Sequence, residues 1–303
     1  MNLRSIWGIA LCWAGLALAQ TTNYTYDEAG RLVRAVYPNG KSIAYSYDKA
    51  GNLLRRLVTT ATAGAAPVAT AAGVVNAASF VGGAVAAGEI VTLFGTGIGP
   101  GTLAGLGLTP AGFLDTYIGE TTVYFDSVPA PVVYASAGQT SVIVPYSVAG
   151  RASTQMVVEY QGRRSAAVAV PVAAAAPALF SFNSSGKGGG AFLNQDSSVN
   201  TPENPADKGS VVVLYGTGEG QTDPPGVDGR IAAAVFPKPL ATIGVRIGGI
   251  AAEILYAGAA PGLVAGVLQV NARIPAEAPS GNVPVVLSAG AATSQPDITV
   301  AVR

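Results

Sequence analysis

A dense group of tyrosines near the N-terminus has the residue types and spacing of a ligand-binding face. Its members are Tyr24, Tyr26, Tyr37, Tyr45 and Tyr47, and basic residues lie among them at Arg31, Arg34 and Lys41. Tyrosine rings on one face of a sheet can stack on sugar rings or anchor a protein interface. The alternative is that these rings bury their own face of the sheet, against one another or against a neighbouring domain.

Three acidic residues in one loop form a second candidate site, for a metal ion. They are Glu219, Asp223 and Asp228, within the segment GEGQTDPPGVDG. Calcium prefers oxygen ligands, so these carboxylates could share a calcium ion with backbone carbonyls. The spacing matches no EF-hand, and solvated loop acids are the alternative interpretation. We predict no other cofactor.

The sequence lacks the residues that many enzymes use for acid–base and nucleophilic chemistry. It contains no histidine, and its single cysteine, Cys12, lies in the N-terminal apolar segment. These facts exclude a Ser-His-Asp triad and a histidine-ligated zinc site, and they exclude thiol catalysis once that segment is cleaved. We predict that the protein is not an enzyme. The alternative is a secreted carbohydrate-active enzyme, or a fragment of one, with loop acids as catalysts.

Two glycine-rich motifs each follow an apolar, strand-like run. They are FGTGIGP at residues 94–100 and YGTGEGQ at residues 215–221. Neither has its third glycine at the spacing of a dinucleotide-binding loop, and neither ends in the Gly-Lys-Ser/Thr of a phosphate-binding loop. We therefore interpret both as the same structural turn at the end of a core strand.

Residues 1–19 have the layout of a secretory signal peptide, with a cation at Arg4, an apolar stretch and an Ala-Leu-Ala cleavage site. No later apolar run reaches the length of about 18 residues that a membrane span requires, so we predict none after cleavage. No basic patch of the size needed to bind nucleic acid is present. We expect an exported protein that is periplasmic, extracellular or at the cell surface.

Residues 20–58 show period-two alternation and a short repeat, YTYDEAGRL followed by YSYDKAGNL. The pattern predicts a β-meander with its tyrosines on one face, a hairpin turn at residues 38–40, and turns capped by Asp27 and Asp48. Residues 23–57 resemble the YD repeat of the Rhs/YD family of bacterial surface proteins and toxins. The resemblance implies β-sheet structure, and in that family long arrays form shells or bind carbohydrate.

The rest of the chain contains a divergent duplication. In residues 73–172 and 191–303, short Val, Ile and Tyr runs alternate with Gly, Pro and Ala turns about every ten residues. This pattern predicts two immunoglobulin-like β-sandwiches in tandem. The fold class that we predict is therefore all-β, a short β-meander followed by the two sandwiches.

Two segments are predicted to connect these units. Residues 59–72 have no periodicity and predict a linker rich in Ala and Thr. Residues 173–190 are predicted to join the two sandwiches, with Phe180 and Phe182 filling an interface.

The duplicated region resembles an uncharacterised C-terminal repeat family of secreted acidobacterial (Solibacter-type) proteins. The resemblance rests on motifs such as NAASF, AGEIVTLFGTGIGP, AAAAPALF and LQVNARIP. It implies an immunoglobulin-like module, similar to IPT/TIG domains, that has no established biochemistry.

These observations predict an exported, non-enzymatic surface or extracellular protein that serves in adhesion, carbohydrate contact or spacing. Its partner would be a carbohydrate or another surface protein. A calcium-stiffened structural module is a further alternative.

Overall fold

The computed structural model describes residues 22–37, 41–48, 50–60, 65–233 and 235–303. The predicted signal peptide and the predicted hairpin turn at residues 38–40 therefore lie outside the described residues. The all-β fold class is confirmed, because the described chain forms 26 strands and one 3-10 turn at Tyr146–Val148. Within these ranges, no helix is long and apolar enough to cross a membrane.

Four antiparallel strands form the meander, and they are hydrogen-bonded in chain order. The strands are β1 (Asn23–Tyr26), β2 (Leu32–Val36), β3 (Lys41–Tyr47) and β4 (Leu53–Thr60). The predicted caps are confirmed: the carboxylates of Asp27 and Asp48 each accept bonds from the backbone N–H groups two and four residues later. Such caps satisfy turn amides that have no partner in the β-ladder.

The first sandwich, residues 68–172, consists of two packed sheets. Its strands are β5 (Val68–Asn76), β6 (Ile90–Thr96), β7 (Ala104–Gly105), β8 (Thr121–Phe125), β9 (Val128–Pro129), β10 (Val132–Ala135), β11 (Gln139–Ile143), β12 (Ser153–Tyr160), β13 (Arg163–Arg164) and β14 (Val168–Pro171). One sheet has the order β5-β6-β11-β10-β7, and the other has the order β13-β12-β8-β9 with β14 also paired to β12. Leu93, Phe125, Val142 and Met156 are buried in the core that these sheets share.

The second sandwich repeats this arrangement. Its strands are β15 (Ala178–Leu179), β16 (Gly188–Gly189), β17 (Val211–Thr217), β18 (Thr222–Asp223), β19 (Lys238–Pro239), β20 (Ile243–Ile247), β21 (Ile250–Ala251), β22 (Glu253–Ala259), β23 (Leu268–Arg273), β24 (Gly281–Ala289), β25 (Ala292–Thr293) and β26 (Ile298–Val302). One sheet has the order β15-β17-β23-β22, the other β16-β26-β24-β20-β21 with β25 on β24, and β18 pairs with β19. The order β5-β6-β11-β10 thus recurs as β15-β17-β23-β22.

Both segments predicted as connections contain strands of the sandwiches. Strand β5 begins inside the predicted linker, and its Val68 and Ala69 pair with Thr96 and Gly95 of β6. Strands β15 and β16 lie inside the predicted segment 173–190 and pair with β17 and β26. These boundaries were wrong because a β-ladder is built from backbone groups, and runs of Ala, Thr and Gly carry no periodic signal for it.

The two glycine motifs terminate the corresponding strands β6 and β17, which confirms that they are structural turns. Gly97 and Gly218 adopt φ angles of 63° and 83°, a region that L side chains disfavour. A Cβ atom on Gly218 would also collide with the carbonyl group of Ala176, whereas one on Gly97 would meet no described atom within 4 Å. Glycine is therefore required for two reasons at Gly218 and for one at Gly97.

This difference predicts unequal costs for two matched substitutions. Gly97→Ala should lower the free energy of unfolding by about 1 to 2 kcal/mol, the cost of a left-handed conformation. Gly218→Ala should lower it by about 3 kcal/mol or more, because the backbone must also move away from the added methyl group. Denaturant unfolding of both variants measures the two losses. Equal losses would contradict the proposed close approach at Gly218.

An apolar junction joins the two sandwiches. Ile90, Leu114 and Ile143 are buried there, and partly buried residues of both sandwiches pack against them, among them Phe180, Val264 and Val267. Phe180 therefore lies at an interface, as predicted. Phe182 does not, because 65% of its surface is exposed.

Hydrogen bonds also cross this junction. The Leu114 N–H group donates to the carbonyl oxygen of Gly229 at 2.7 Å. The Ile90 N–H group donates to Oγ1 of Thr217 at 2.9 Å. The start of β6 is thereby fixed to the end of β17.

Candidate functional site

The strand register of the meander places the tyrosines on one face. Tyr24 lies opposite Ala35, Ala35 opposite Ile43, and Ile43 opposite Val58. Directly paired residues of antiparallel strands share a face, and so do residues two positions apart. Tyr24, Tyr26, Tyr37, Tyr45 and Tyr47 therefore share the surface that we call the tyrosine face.

Exposure differs along the tyrosine face. Tyr24 and Tyr26, on the edge strand β1, are 54% and 58% exposed. Tyr37, Tyr45 and Tyr47 are half-buried. The two edge tyrosines are therefore the ones that offer free ring surface to a ligand.

Tyr47 is held in place by contacts at both ends of its side chain. Its hydroxyl group donates to the carbonyl oxygen of Leu32 at 2.8 Å. The guanidinium group of Arg31 lies 4.9 Å from the centre of its ring. Arg31 is in turn held by Asp27, through a 2.7 Å ion pair. This half of the tyrosine face is ordered before any ligand arrives.

Apolar side chains continue the tyrosine face onto β4. Leu53 and Val58 are 52% and 41% exposed. Val58 pairs with Ile43, and Leu53 pairs with Tyr47 beyond a shift in the register of β3 and β4, so that it does not share the face of Arg55. Exposed apolar residues that stand singly need no explanation, but a contiguous group beside aromatic rings is typical of an interaction surface.

The opposite face of the meander is attached to the first sandwich through Arg34. Its guanidinium group pairs with Glu159 at 2.6 Å, and both side chains are buried. The same carboxylate binds Arg164 through its other oxygen at 2.9 Å. The ring of Tyr117 lies 4.6 Å from the Arg34 guanidinium carbon. We call Arg34, Glu159 and Arg164 the docking triad.

This position corrects one expectation from the sequence. Arg34 was grouped with Arg31 and Lys41 beside the tyrosines, but it points away from them into the sandwich. The reason is the two-residue period itself, because Arg34 alternates with Val33 and Ala35 on β2. The alternative that a neighbouring domain buries the tyrosines is wrong for Tyr24 and Tyr26 within the described chain, where they are exposed.

The docking triad yields a prediction about stability. Arg34→Met should lower the free energy of unfolding by about 3 kcal/mol, because it leaves a buried carboxylate with only one partner. As a control, Arg151→Met removes a half-exposed ion pair with Asp126, which should cost at most about 1 kcal/mol. Denaturant unfolding followed by circular dichroism measures both. Equal effects of the two substitutions would show that the triad does not hold the meander in place.

The three acids predicted to bind calcium are dispersed. Glu219 is buried, Asp223 is exposed, and half-buried Asp228 accepts a bond from the backbone N–H group of Tyr146 at 2.8 Å. Among the residues that the structure describes, no group of three acids could hold a metal ion. The loop separates them because Glu219 is directed into the junction of the sandwiches while Asp223 remains at the surface.

Sequence reasoning overlooked Glu89, which lies near Glu219 at that junction. The pKa of Glu89 is raised from 4.5 to about 8, mainly by burial and also by the nearby Glu219, while interactions with Ala86 and Asn76 act in the opposite direction. Burial also raises the pKa of Glu219 to about 7. A signal was available, because Glu89 is the only charged residue between Arg56 and Asp115. We call Glu89 and Glu219 the carboxyl pair.

Comparison with known families finds a match for the N-terminal segment. The family model RHS Repeat matches residues 17–42 and 26–66. The meander resembles Rhs repeats. This match confirms the Rhs/YD resemblance for that part of the chain, whereas the resemblance of the sandwiches to an acidobacterial repeat family stays a prediction.

Several solved structures show distant similarity. They include SGBP-B from a complex xyloglucan utilization locus in Bacteroides uniformis, with 13% identity, a TM-score of 0.24 and coverage of 70% of this chain and 45% of that one. The titin I9-I11 tandem has 9% identity, a TM-score of 0.20 and coverage of 72% and 61%. The N-terminal eight Ig domains of DSCAM have 12% identity, a TM-score of 0.19 and coverage of 94% and 35%.

The chain thus spans less than two thirds of the length of each of these three structures. No curated protein matches the chain.

Proposed function

We propose that this protein is an exported, non-enzymatic surface or extracellular module that contacts carbohydrate through its tyrosine face. The observation that carries the proposal is the exposure of Tyr24 and Tyr26 on a sheet whose opposite face is attached to the first sandwich. The RHS Repeat match supports a surface location for this segment.

The chemistry of the tyrosine face suits a sugar. A tyrosine ring offers a flat apolar surface with a polar hydroxyl group at its end, and a sugar ring has apolar C–H faces with hydroxyl groups at its rim. The rings at Tyr24 and Tyr26 are separated by one residue on one strand, so they can contact neighbouring parts of one ligand. The buried ion pair of Arg34 and Glu159 limits the motion of the sheet, which reduces the entropy lost on binding.

Arg56 adds a positive charge to the tyrosine face. It is exposed and pairs in register with Tyr45, so its side chain stands on the same face. Among the described residues it forms no ion pair. Because guanidinium groups bind carboxylates with two parallel hydrogen bonds, we propose that glycans bearing uronic acids are preferred over neutral ones.

The tyrosines are tested by screening the full chain on a glycan array and titrating the best glycan. Replacing Tyr24 and Tyr26 together by Ala should weaken binding at least about tenfold, which corresponds to about 1.4 kcal/mol of lost ring contact. The matched control is Phe182→Ala, which removes an exposed aromatic ring outside the meander.

The proposal is contradicted if no glycan binds, or if the Phe182 control weakens binding as much as the double substitution. Release of reducing ends from a bound glycan would instead favour the alternative function, a carbohydrate-active enzyme.

The charge preference has its own test. Arg56→Gln should weaken binding of a uronate oligosaccharide about tenfold and should reduce the salt dependence of that binding. Arg55→Gln is the control, because Arg55 is exposed on the same strand but pairs with Ser46 on the opposite face. Isothermal titration at two salt concentrations measures both effects. If the two variants behave alike, Arg56 does not select for charge.

A further inference from the structure

The carboxyl pair lies where the two sandwiches meet. Glu89 directly precedes β6, and Glu219 follows β17 after one glycine. They are 1% and 3% exposed. The 2.9 Å bond from the Ile90 N–H group to Oγ1 of Thr217 connects the two segments that carry them. The pair is therefore part of the contact between the sandwiches.

The hydrogen bonds of the carboxyl pair leave its charge uncompensated. Oε2 of Glu89 accepts the Ala86 N–H group at 2.7 Å, and the nearby side chain of Asn76 also acts to lower the pKa of this carboxyl group. Within the described chain, Oε2 of Glu219 has no hydrogen-bond partner. No described Lys or Arg forms an ion pair with either residue. Two ionised carboxylates would be costly in such a place.

Two other titratable groups of the described chain, Tyr146 and Asp228, lie near the carboxyl pair, and neither supplies positive charge. Tyr146 packs against Gly88, and burial raises the pKa of its hydroxyl group, as do Glu219 and Asp228. Burial raises the pKa of Asp228, although the bond from the Tyr146 N–H group opposes this. Both of these groups are therefore neutral or acidic.

A cleft of about 370 Å³ opens along the same junction. Its walls include Asn76 and Glu89 of the first sandwich, Pro177, and Thr293 and Gln295 of the second. Because Glu89 lines this cleft, protons can reach the carboxyl pair from solvent while the sandwiches stay folded.

We propose that the carboxyl pair is a proton-dependent clasp: the two sandwiches stay closed on each other while the pair is protonated, and their junction opens when the pair loses its protons. The proposal concerns the junction alone and does not depend on carbohydrate binding by the meander.

The direction of the pH dependence follows from linkage. The closed junction holds both protons up to pKa values of about 7 and about 8, whereas the exposed carboxyl groups of an open junction would release them near 4.5. Opening is therefore accompanied by proton release and becomes more favourable as the pH rises. The opening constant should rise up to about 100-fold per pH unit while both protons are released, and it should level off above pH 8.

Hydrogen–deuterium exchange of the full chain tests the clasp between pH 5 and pH 9. After correction for intrinsic exchange, peptides covering residues 85–90 and 217–222 should lose protection as the pH rises. The rest of β6 and β17, which belongs to the cores of the sandwiches, should remain protected. The double variant Glu89→Gln, Glu219→Gln should remove this pH dependence, and each single variant should remove about half of it.

Two further variants make the result specific. Glu203→Gln changes an exposed carboxyl group and should leave the wild-type pH dependence intact. Asp228→Asn tests the remaining acid at the junction. The clasp is ruled out if the double variant keeps the wild-type pH dependence, or if Asp228→Asn alone abolishes it.

Discussion

The carboxylate of Glu159 lies between two arginines from different parts of the fold, and the placement of the meander depends on this contact. Arg34 comes from the sheet of the meander and Arg164 from the edge of the first sandwich. A buried carboxylate is tolerated only when it is paired, so neither surface can separate without leaving a charge in an apolar environment. This constraint fixes which face of the meander is hidden and leaves the tyrosine face outward.

Local patterns predicted the parts of this structure that local chemistry determines. Alternation grouped the tyrosines correctly, and the Asp-x-x-Gly turns formed as their capping geometry requires. The repeated glycine motifs indicated two related sandwiches, and the strand order β5-β6-β11-β10 does recur as β15-β17-β23-β22. In each case the information lies within a few residues, where backbone conformation and the nearest side chain determine the outcome.

The features that escaped prediction depend on residues far apart in the chain. Nothing near Arg34 in the sequence indicates Glu159, and nothing near Glu89 indicates Glu219. The acids of residues 219–228 share a loop, yet the fold directs Glu219 inward and leaves Asp223 in solvent. The closeness of these acids in the sequence therefore suggested a calcium site. In the fold, Glu219 is instead buried beside Glu89, which is distant in the sequence. The strands that begin at Val68 and Ala178 were missed because their small side chains give no alternating hydrophobic pattern, although their backbones pair with neighbouring strands.

The apolar junction has a consequence for the order in which the chain can fold. Ile90, Leu114 and Ile143 of the first sandwich are covered by residues that include Val264 and Val267. Because synthesis proceeds from the N-terminus, these three side chains leave the ribosome well before the residues that cover them have been made. The first sandwich therefore carries an exposed apolar patch during synthesis, and its final packing requires that residues as far along the chain as Val267 have been made. The duplicated sandwiches are therefore not independent units, because residues of the second cover apolar side chains of the first.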